Sequence, residues 1–352
     1  MVIPRNDQKV VNASLALPRR GVLAVALLVV FGVVLGVAPG ARGQERGGGK
    51  VEGDGPVRIR VVTSIAPLAG LVKPMLESAK IAASIETIVP PGVSEHGYEA
   101  PPSKLEALAK ADVVVIVGLG MEPQVEKFLK DRPNPRRRVV IAAEAAGVGG
   151  IKLGHDEHAH EGHDHEHGEG CNHGHVDPHV WLDPALVEKI VPEIGKALRA
   201  ALADDGAAVT RLRKAELELI VRVREVDAEY QRALAEKNTK TRTIVVGHDA
   251  WGYIEERYGL EAAAIKGLTA SEPTPSSLEN AMKAIKEHGA RAVLVEPQLS
   301  RQAGEKIARA TGVPVRVIDP LGDGDWFAMM RGNLKEFAFA VGAEEAPADP
   351  KK

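Results

Sequence analysis

Alternation is the feature that most limits the folds open to this chain of 352 residues. From Val57 onward, short β-branched runs are each followed by a stretch with helical spacing. Residues 58–64, 84–89, 113–117 and 139–142 read as strands. Helices are expected over 67–78 and 122–130, with another started by a capping box of Ser103 and Glu106. Helical sequence then runs from 184 to about 237, with a break near 204–206. A helix of about thirty residues is roughly 45 Å long, enough to cross a whole lobe. Strands return at 243–246, 262–266, 292–295 and 315–318, and a last helix covers 326–341. Strand-then-helix alternation implies parallel sheets covered by helices. The expected layout is an α/β fold of two parallel-sheet lobes, 57–203 and 239–343, joined by one long helix over 204–238. Strand order is not readable from these patterns.

The ends and one internal stretch depart from that pattern. Residues 1–43 carry five basic groups and one acidic group, and 21–38 is uncharged and rich in Val and Leu. This segment reads as an export signal or an N-terminal anchor, which places the globular part outside the cytoplasm. Residues 44–56 are Gly-rich and charged and read as a flexible linker; 344–352 read as a disordered tail. The whole chain has a formal net charge of −3, and −7 without the first 43 residues, so no basic surplus points to nucleic acid. Residues 154–176 hold eight of the twelve histidines (His155, His158, His160, His163, His165, His167, His173 and His175) among Asp, Glu and Gly. With no apolar face this stretch is expected to be a disordered loop within the first lobe, able to bind metal weakly. Cys171 is the single cysteine, so no intrachain disulfide forms.

Four histidines lie outside that loop. His96 follows Ile88-Val89-Pro90-Pro91-Gly92, His248 directly follows the strand at 243–246 and Gly247, and His179 sits in Asp177-Pro178-His179-Val180-Trp181-Leu182-Asp183-Pro184. In open α/β sheets, ligands bind outside the carboxyl ends of the strands. His96 and His248 fall there, one in each expected lobe. Asp319, after the strand at 315–318, is the expected fourth ligand; Glu95 beside His96 is its rival, and Asp249 a weaker one. Three imidazoles and a carboxylate suit tetrahedral Zn²⁺, whereas Mn²⁺ prefers more oxygen. His288, near a helix end, reads as structural. Free imidazoles titrate near 6.5, so protons are expected to compete with metal at all three ligand histidines.

Several segments together resemble a known family. They are Pro91-Gly92-Val93-Ser94-Glu95-His96, the run around His179, Gly247-His248-Asp249-Ala250, Glu272-Pro273-Thr274-Pro275, Val295-Glu296-Pro297-Gln298 and Ile318-Asp319-Pro320-Leu321-Gly322. In order and spacing they resemble the metal-specific solute-binding proteins of ABC importers, most closely the zinc-binding branch. The resemblance implies two lobes on one rigid helix, with Zn²⁺ held as cargo between the lobes by His96, His179 and His248. A carboxylate matching Asp319 or Glu95, or water, completes the site. It also implies a membrane permease as partner, a periplasmic or extracytoplasmic location, a monomeric state and no enzymatic activity. The paired cysteines of some bacterial members are absent here. Manganese or iron is the nearer alternative cargo. A zinc hydrolase and a surface adhesin are the alternatives of another class, but the chain lacks H-E-x-x-H and a nucleophile elbow.

Overall fold

The computed structural model of the protein describes residues 49–51, 58–148 and 176–343. The segment 1–43, the histidine-rich loop with its eight histidines and Cys171, and the tail 344–352 lie outside the described residues. The first lobe contains β1 (Gly49–Val51), β2 (Ile59–Thr63), α1 (Ala66–Ser78), β3 (Ala83–Thr87), α2 (Pro102–Lys110), β4 (Val113–Ile116), α3 (Pro123–Asp131), β5 (Arg138–Ile141) and α4 (Ala142–Ala146). Then come a 3-10 turn (Val180–Leu182), α5 (Pro184–Ala201) and the 28-residue α6 (Gly206–Ala233). The second lobe contains β6 (Thr243–His248), α7 (Gly252–Tyr258), β7 (Glu261–Lys266), α8 (Pro275–Lys286), β8 (Val293–Val295), α9 (Gln302–Thr311), β9 (Val315–Val317) and α10 (Trp326–Ala340). Among the described residues no helix is long and apolar enough to cross a membrane.

The sheets are ordered β1-β3-β2-β4-β5 and β7-β6-β8-β9. Apart from antiparallel β1, every pairing is parallel. Both lobes therefore wind their four parallel strands identically: the first strand lies between the second and the third. That order places a switch point beside the carboxyl ends of β2 and β4 in one lobe, and of β6 and β8 in the other.

Period-two strands divide each lobe's side chains between two faces. Val62 and Val114 enter a core local to the first lobe, and Val245, Val293 and Val295 one local to the second. Their neighbours Val61, Val113, Val115, Ile244, Val246 and Leu294 all enter a third core. This shared core also takes Leu212, Leu219, Val223, Val226 and Tyr230 from α6, so apolar packing is continuous from lobe to lobe. By its rise, α6 spans about 42 Å. Its first half is tied to the first lobe, where Arg211 Nε donates to Ala79 O at 2.7 Å. Its second half is tied to the second lobe: Tyr230 OH donates to Met330 O at 2.7 Å, and Glu229 accepts from Arg331 at 2.8 Å.

Two local expectations are corrected. Within the stretch read as a linker, Gly49–Val51 pairs with β3 as an edge strand, because Val51 buries to 3% exposure against the shared core. The box at Ser103 and Glu106 does not form. α2 begins two residues earlier than that cap implies, with Pro102 in its first turn and Pro101 as N-cap, without a side-chain cap. Proline suits that position because its φ is preset and its missing N–H is not needed there. Glu106 pairs instead with Lys110. Reciprocal capping is found at α8, between Thr274 and Ser277. Side-chain caps also start α5 at Asp183, α6 at Asp205 and α10 at Asp325.

Gly70 marks a close backbone contact between the lobes. A Cβ built there would lie 2.7 Å from Trp326 N and 2.9 Å from Gly324 O, both backbone atoms of the second lobe. Gly332, an exposed position on α10, has nothing within 4 Å of its Cβ position. Gly70→Ala is expected to cost about 1–3 kcal/mol through overpacking. Gly332→Ala is expected to stabilise by about 0.5–1 kcal/mol through helix propensity. Urea unfolding of the two variants against wild type checks both signs; equal stabilities would show that α1 and α10 separate freely.

Candidate metal centre

Three segments, distant in sequence, converge on one point. Glu95 and His96 lie in the turn after β3. It closes with Val93 N donating to Pro90 O at 3.2 Å, and Gly92 and Gly97 at its flanks take positive φ. His179 directly precedes the 3-10 turn at Val180–Leu182. His248 is the last residue of β6, at the switch point of the second sheet. One ligand atom from each of Glu95, His96, His179 and His248 lies within 4.8 Å of all the others.

The imidazoles face inward through Nε2. His248 Nε2 is 3.3 Å from His96 Nε2 and 3.4 Å from His179 Nε2. Glu95 Oε1 is 3.7 Å from His179 Nε2 and 3.8 Å from His96 Nε2. Zn–N bonds of about 2.0–2.1 Å in a tetrahedron require donor separations of about 3.3–3.4 Å. The nitrogen pairs His248–His96 and His248–His179 already meet that spacing, and Glu95 Oε1 stands a few tenths of an ångström beyond it from His96 and His179.

The outward nitrogens explain the inward ones. His179 Nδ1 contacts Asp177 Oδ1 at 2.6 Å, and the same oxygen accepts from the His179 backbone N at 2.9 Å. His248 Nδ1 contacts Glu296 Oε1 at 2.7 Å. A carboxylate on Nδ1 holds the proton there and leaves the Nε2 lone pair free for a metal. Two lone pairs then confront each other at 3.4 Å, beside Glu95 Oε1, a buried oxygen with no hydrogen-bond donor. Asp177 Oδ2 is likewise buried without a donor. The cluster is rich in acceptors and short of positive charge.

Titration follows from this burial. Burial raises the Glu95 carboxyl to about 7, and it raises Asp177 and the neighbouring Glu255 to about 7 as well. Burial, helped by the other histidines, pushes His96 down to about 3. His179, completely buried, is held well below the usual imidazole range for the same reason. At His248 burial acts downward, but the charge and hydrogen bond of Glu296 outweigh it, and the net direction is upward. The expectation that all three imidazoles titrate alike therefore does not fit the buried site.

Asp319, the expected fourth ligand, is not brought to this group. Its Oδ1 accepts from Gln298 Nε2 at 2.6 Å, Gly322 N at 2.9 Å and Leu321 N at 3.0 Å. Asp-Pro-Leu-Gly is a turn-forming run, and the carboxylate closes the turn. Asn333 fixes it further, accepting from Asp319 N and donating to Asp319 O, both at 2.8 Å. Asp249 is also outside the four-residue group. His288 lies beyond the end of α8, where its carbonyl accepts from Thr241 Oγ1 at 2.6 Å. The roles of Asp177 and Glu296 were not apparent from sequence. Glu296 directly follows β8, and only the adjacency of β8 to β6 sets it against His248.

With the geometry established, likeness to known proteins is informative. Residues 61–340 match the family "Zinc-uptake complex component A periplasmic". The zinc-binding protein AdcA of Streptococcus pyogenes serotype M3 is 26% identical over 298 residues, which cover 79% of this chain and 55% of that protein. The chain thus spans about half the length of such relatives. The high-affinity zinc uptake system protein ZnuA of Yersinia pestis is 29% identical over 282 residues, covering 75% of this chain and 83% of that protein. A crystal structure of ZnuA superposes with a TM-score of 0.67 at 24% identity, covering 80% of this chain and 99% of the other. By the extent of the family match, the chain belongs to the periplasmic component A family of zinc-uptake complexes.

Proposed function

We propose that this protein captures Zn²⁺ as cargo outside the cytoplasm and delivers it, as a monomer, to the membrane permease of an ABC importer. The observation that carries the reading is the inward set of Nε2 atoms, with His248 Nε2 at 3.3 and 3.4 Å from the other two and an undonated carboxylate oxygen beside them. Such a set is unfavourable unless a cation sits among the donors, and its spacing suits a small tetrahedral ion. The names of the relatives and the family support zinc as that ion. In this reading His96, His179, His248 and Glu95 are the four ligands, and Asp319 is a turn residue. A single carboxylate favours zinc over manganese. Four protein ligands leave no open position for an activated water, which favours carriage over hydrolysis.

His96→Ala, His179→Ala and His248→Ala are each expected to weaken Zn²⁺ binding by orders of magnitude in competition titration. Glu95→Gln should weaken it more than Asp319→Asn, and the reverse order would refute the assignment of the fourth ligand. Asp177→Asn and Glu296→Gln, which meet the imidazoles on their Nδ1 side, should each cost about tenfold to a hundredfold.

The pH dependence has a defined sign. Glu95 must be ionised to bind metal, and its carboxyl is pushed up to about 7, so it takes up a competing proton as pH falls through 7. His248, shifted upward, competes in the same direction. His96 and His179 stay neutral across this range. Zinc affinity should therefore fall between pH 8 and pH 6, by about tenfold per pH unit for each proton displaced. Titration of Glu95→Gln over the same range should give a shallower slope. An unchanged slope would exclude Glu95 as a source of released protons.

A further inference from the structure

We propose that the turn over residues 132–138 is an anion site that binds phosphate groups, carried by lipid headgroups or free in solution. The turn joins α3 to β5 at the amino end of the parallel strands, opposite the loops that carry His96 and His248. Four arginines, Arg132, Arg136, Arg137 and Arg138, fall within seven residues of a chain whose net charge is negative.

The backbone is held firmly. Pro133 and Pro135 flank Asn134, whose Oδ1 accepts from Arg136 N at 2.9 Å and whose carbonyl accepts from Arg137 N at 3.1 Å. The arginine positions are fixed before any ligand arrives.

What the guanidinium groups lack is a counter-charge. Arg58, Arg199, Arg224, Arg257, Arg316 and Arg331 each reach a carboxylate. Among the described residues none of the four in the turn does. The nearest acid in sequence, Asp131, is paired with Lys127 at 2.7 Å. Arg137 donates to Arg132 O at 3.3 Å and Arg138 to Pro135 O at 3.5 Å, both neutral carbonyls. The charged carbons of Arg132 and Arg137 lie 5.2 and 6.0 Å from the centre of the Phe128 ring.

Arg137 is the decisive member. It is only 9% exposed, and its Nε is buried without an acceptor. Guanidinium stays ionised under such burial, and a buried charge without a partner is costly. The carboxyl end of α3 offsets part of the charge at Arg132. It leaves the three consecutive arginines uncompensated. Phosphate is the matching ligand, because forked guanidinium donors pair with its oxygens two at a time.

The test uses the full chain and its R136Q/R138Q variant, since both side chains are exposed. Thermal unfolding verifies that the variant folds. Sedimentation with phosphatidylcholine vesicles measures binding that does not depend on charge, including any from residues 21–38. On vesicles that also contain phosphatidylglycerol, wild type should bind more tightly and the variant about thirtyfold less tightly than wild type, at about fivefold per arginine. Inorganic phosphate forms the second arm, read as protection against thermal unfolding in wild type and its loss in R137Q. Protection without a preference for anionic vesicles assigns the site to free phosphate. Zinc affinity should be equal in wild type and R136Q/R138Q. The proposal is overturned if the double variant matches wild type on anionic vesicles and phosphate protects neither protein.

Discussion

One apolar core runs through both lobes, and the candidate metal centre depends on it. Its members come from the inner faces of both sheets and from α6. Because the faces share side chains, the loops at the carboxyl ends of β3 and β6 are held at a fixed separation. Nε2 atoms from opposite lobes can then stand 3.3 Å apart without a covalent link. The hydrogen bonds from Trp181 Nε1 to Pro320 O and from Trp326 Nε1 to Trp181 O fasten the His179 segment to the second lobe at 2.7 and 2.8 Å. Tyr253 OH adds a bond to Asp177 O at 2.7 Å.

On that frame, chemistry is set by carboxylates the metal would not touch. Asp177 and Glu296 select the tautomer, and burial selects the protonation state. Together they arrange donors that repel one another in the metal-free protein.

Strand and helix positions were legible because β-branched runs and helical spacing are local signals. Boundaries at β2, β4, β6 and α10 fall within a residue or two of those read from the sequence. Strand order was not legible, since nothing local says that β4 crosses to the far side of β2. The histidines stood out through their positions after strands and turns. The acidic member of the cluster did not. Asp319 and Glu95 have similar local sequence contexts, and what separates them is the occupation of lone pairs. Turn N–H groups and Gln298 occupy Oδ1 of Asp319 and hold that carboxylate in its own turn, whereas Oε1 of Glu95 receives no donor. Glu296 was hidden for the same reason as the strand order, because its partner lies across β6 and β8.

The backbone contact at Gly70 bears on how freely the two lobes can turn against each other. A hinge that opened the lobes would slide α1 against the peptide groups at Gly324 and Trp326, where no side chain is available to repack. Domain rotation on the microsecond-to-millisecond scale is thereby disfavoured. The turn between Gly92 and Gly97 carries His96, whose ring is 13% exposed while those of His179 and His248 are almost wholly enclosed. The cluster is therefore approached from the side of that turn, with the two enclosed imidazoles as its floor.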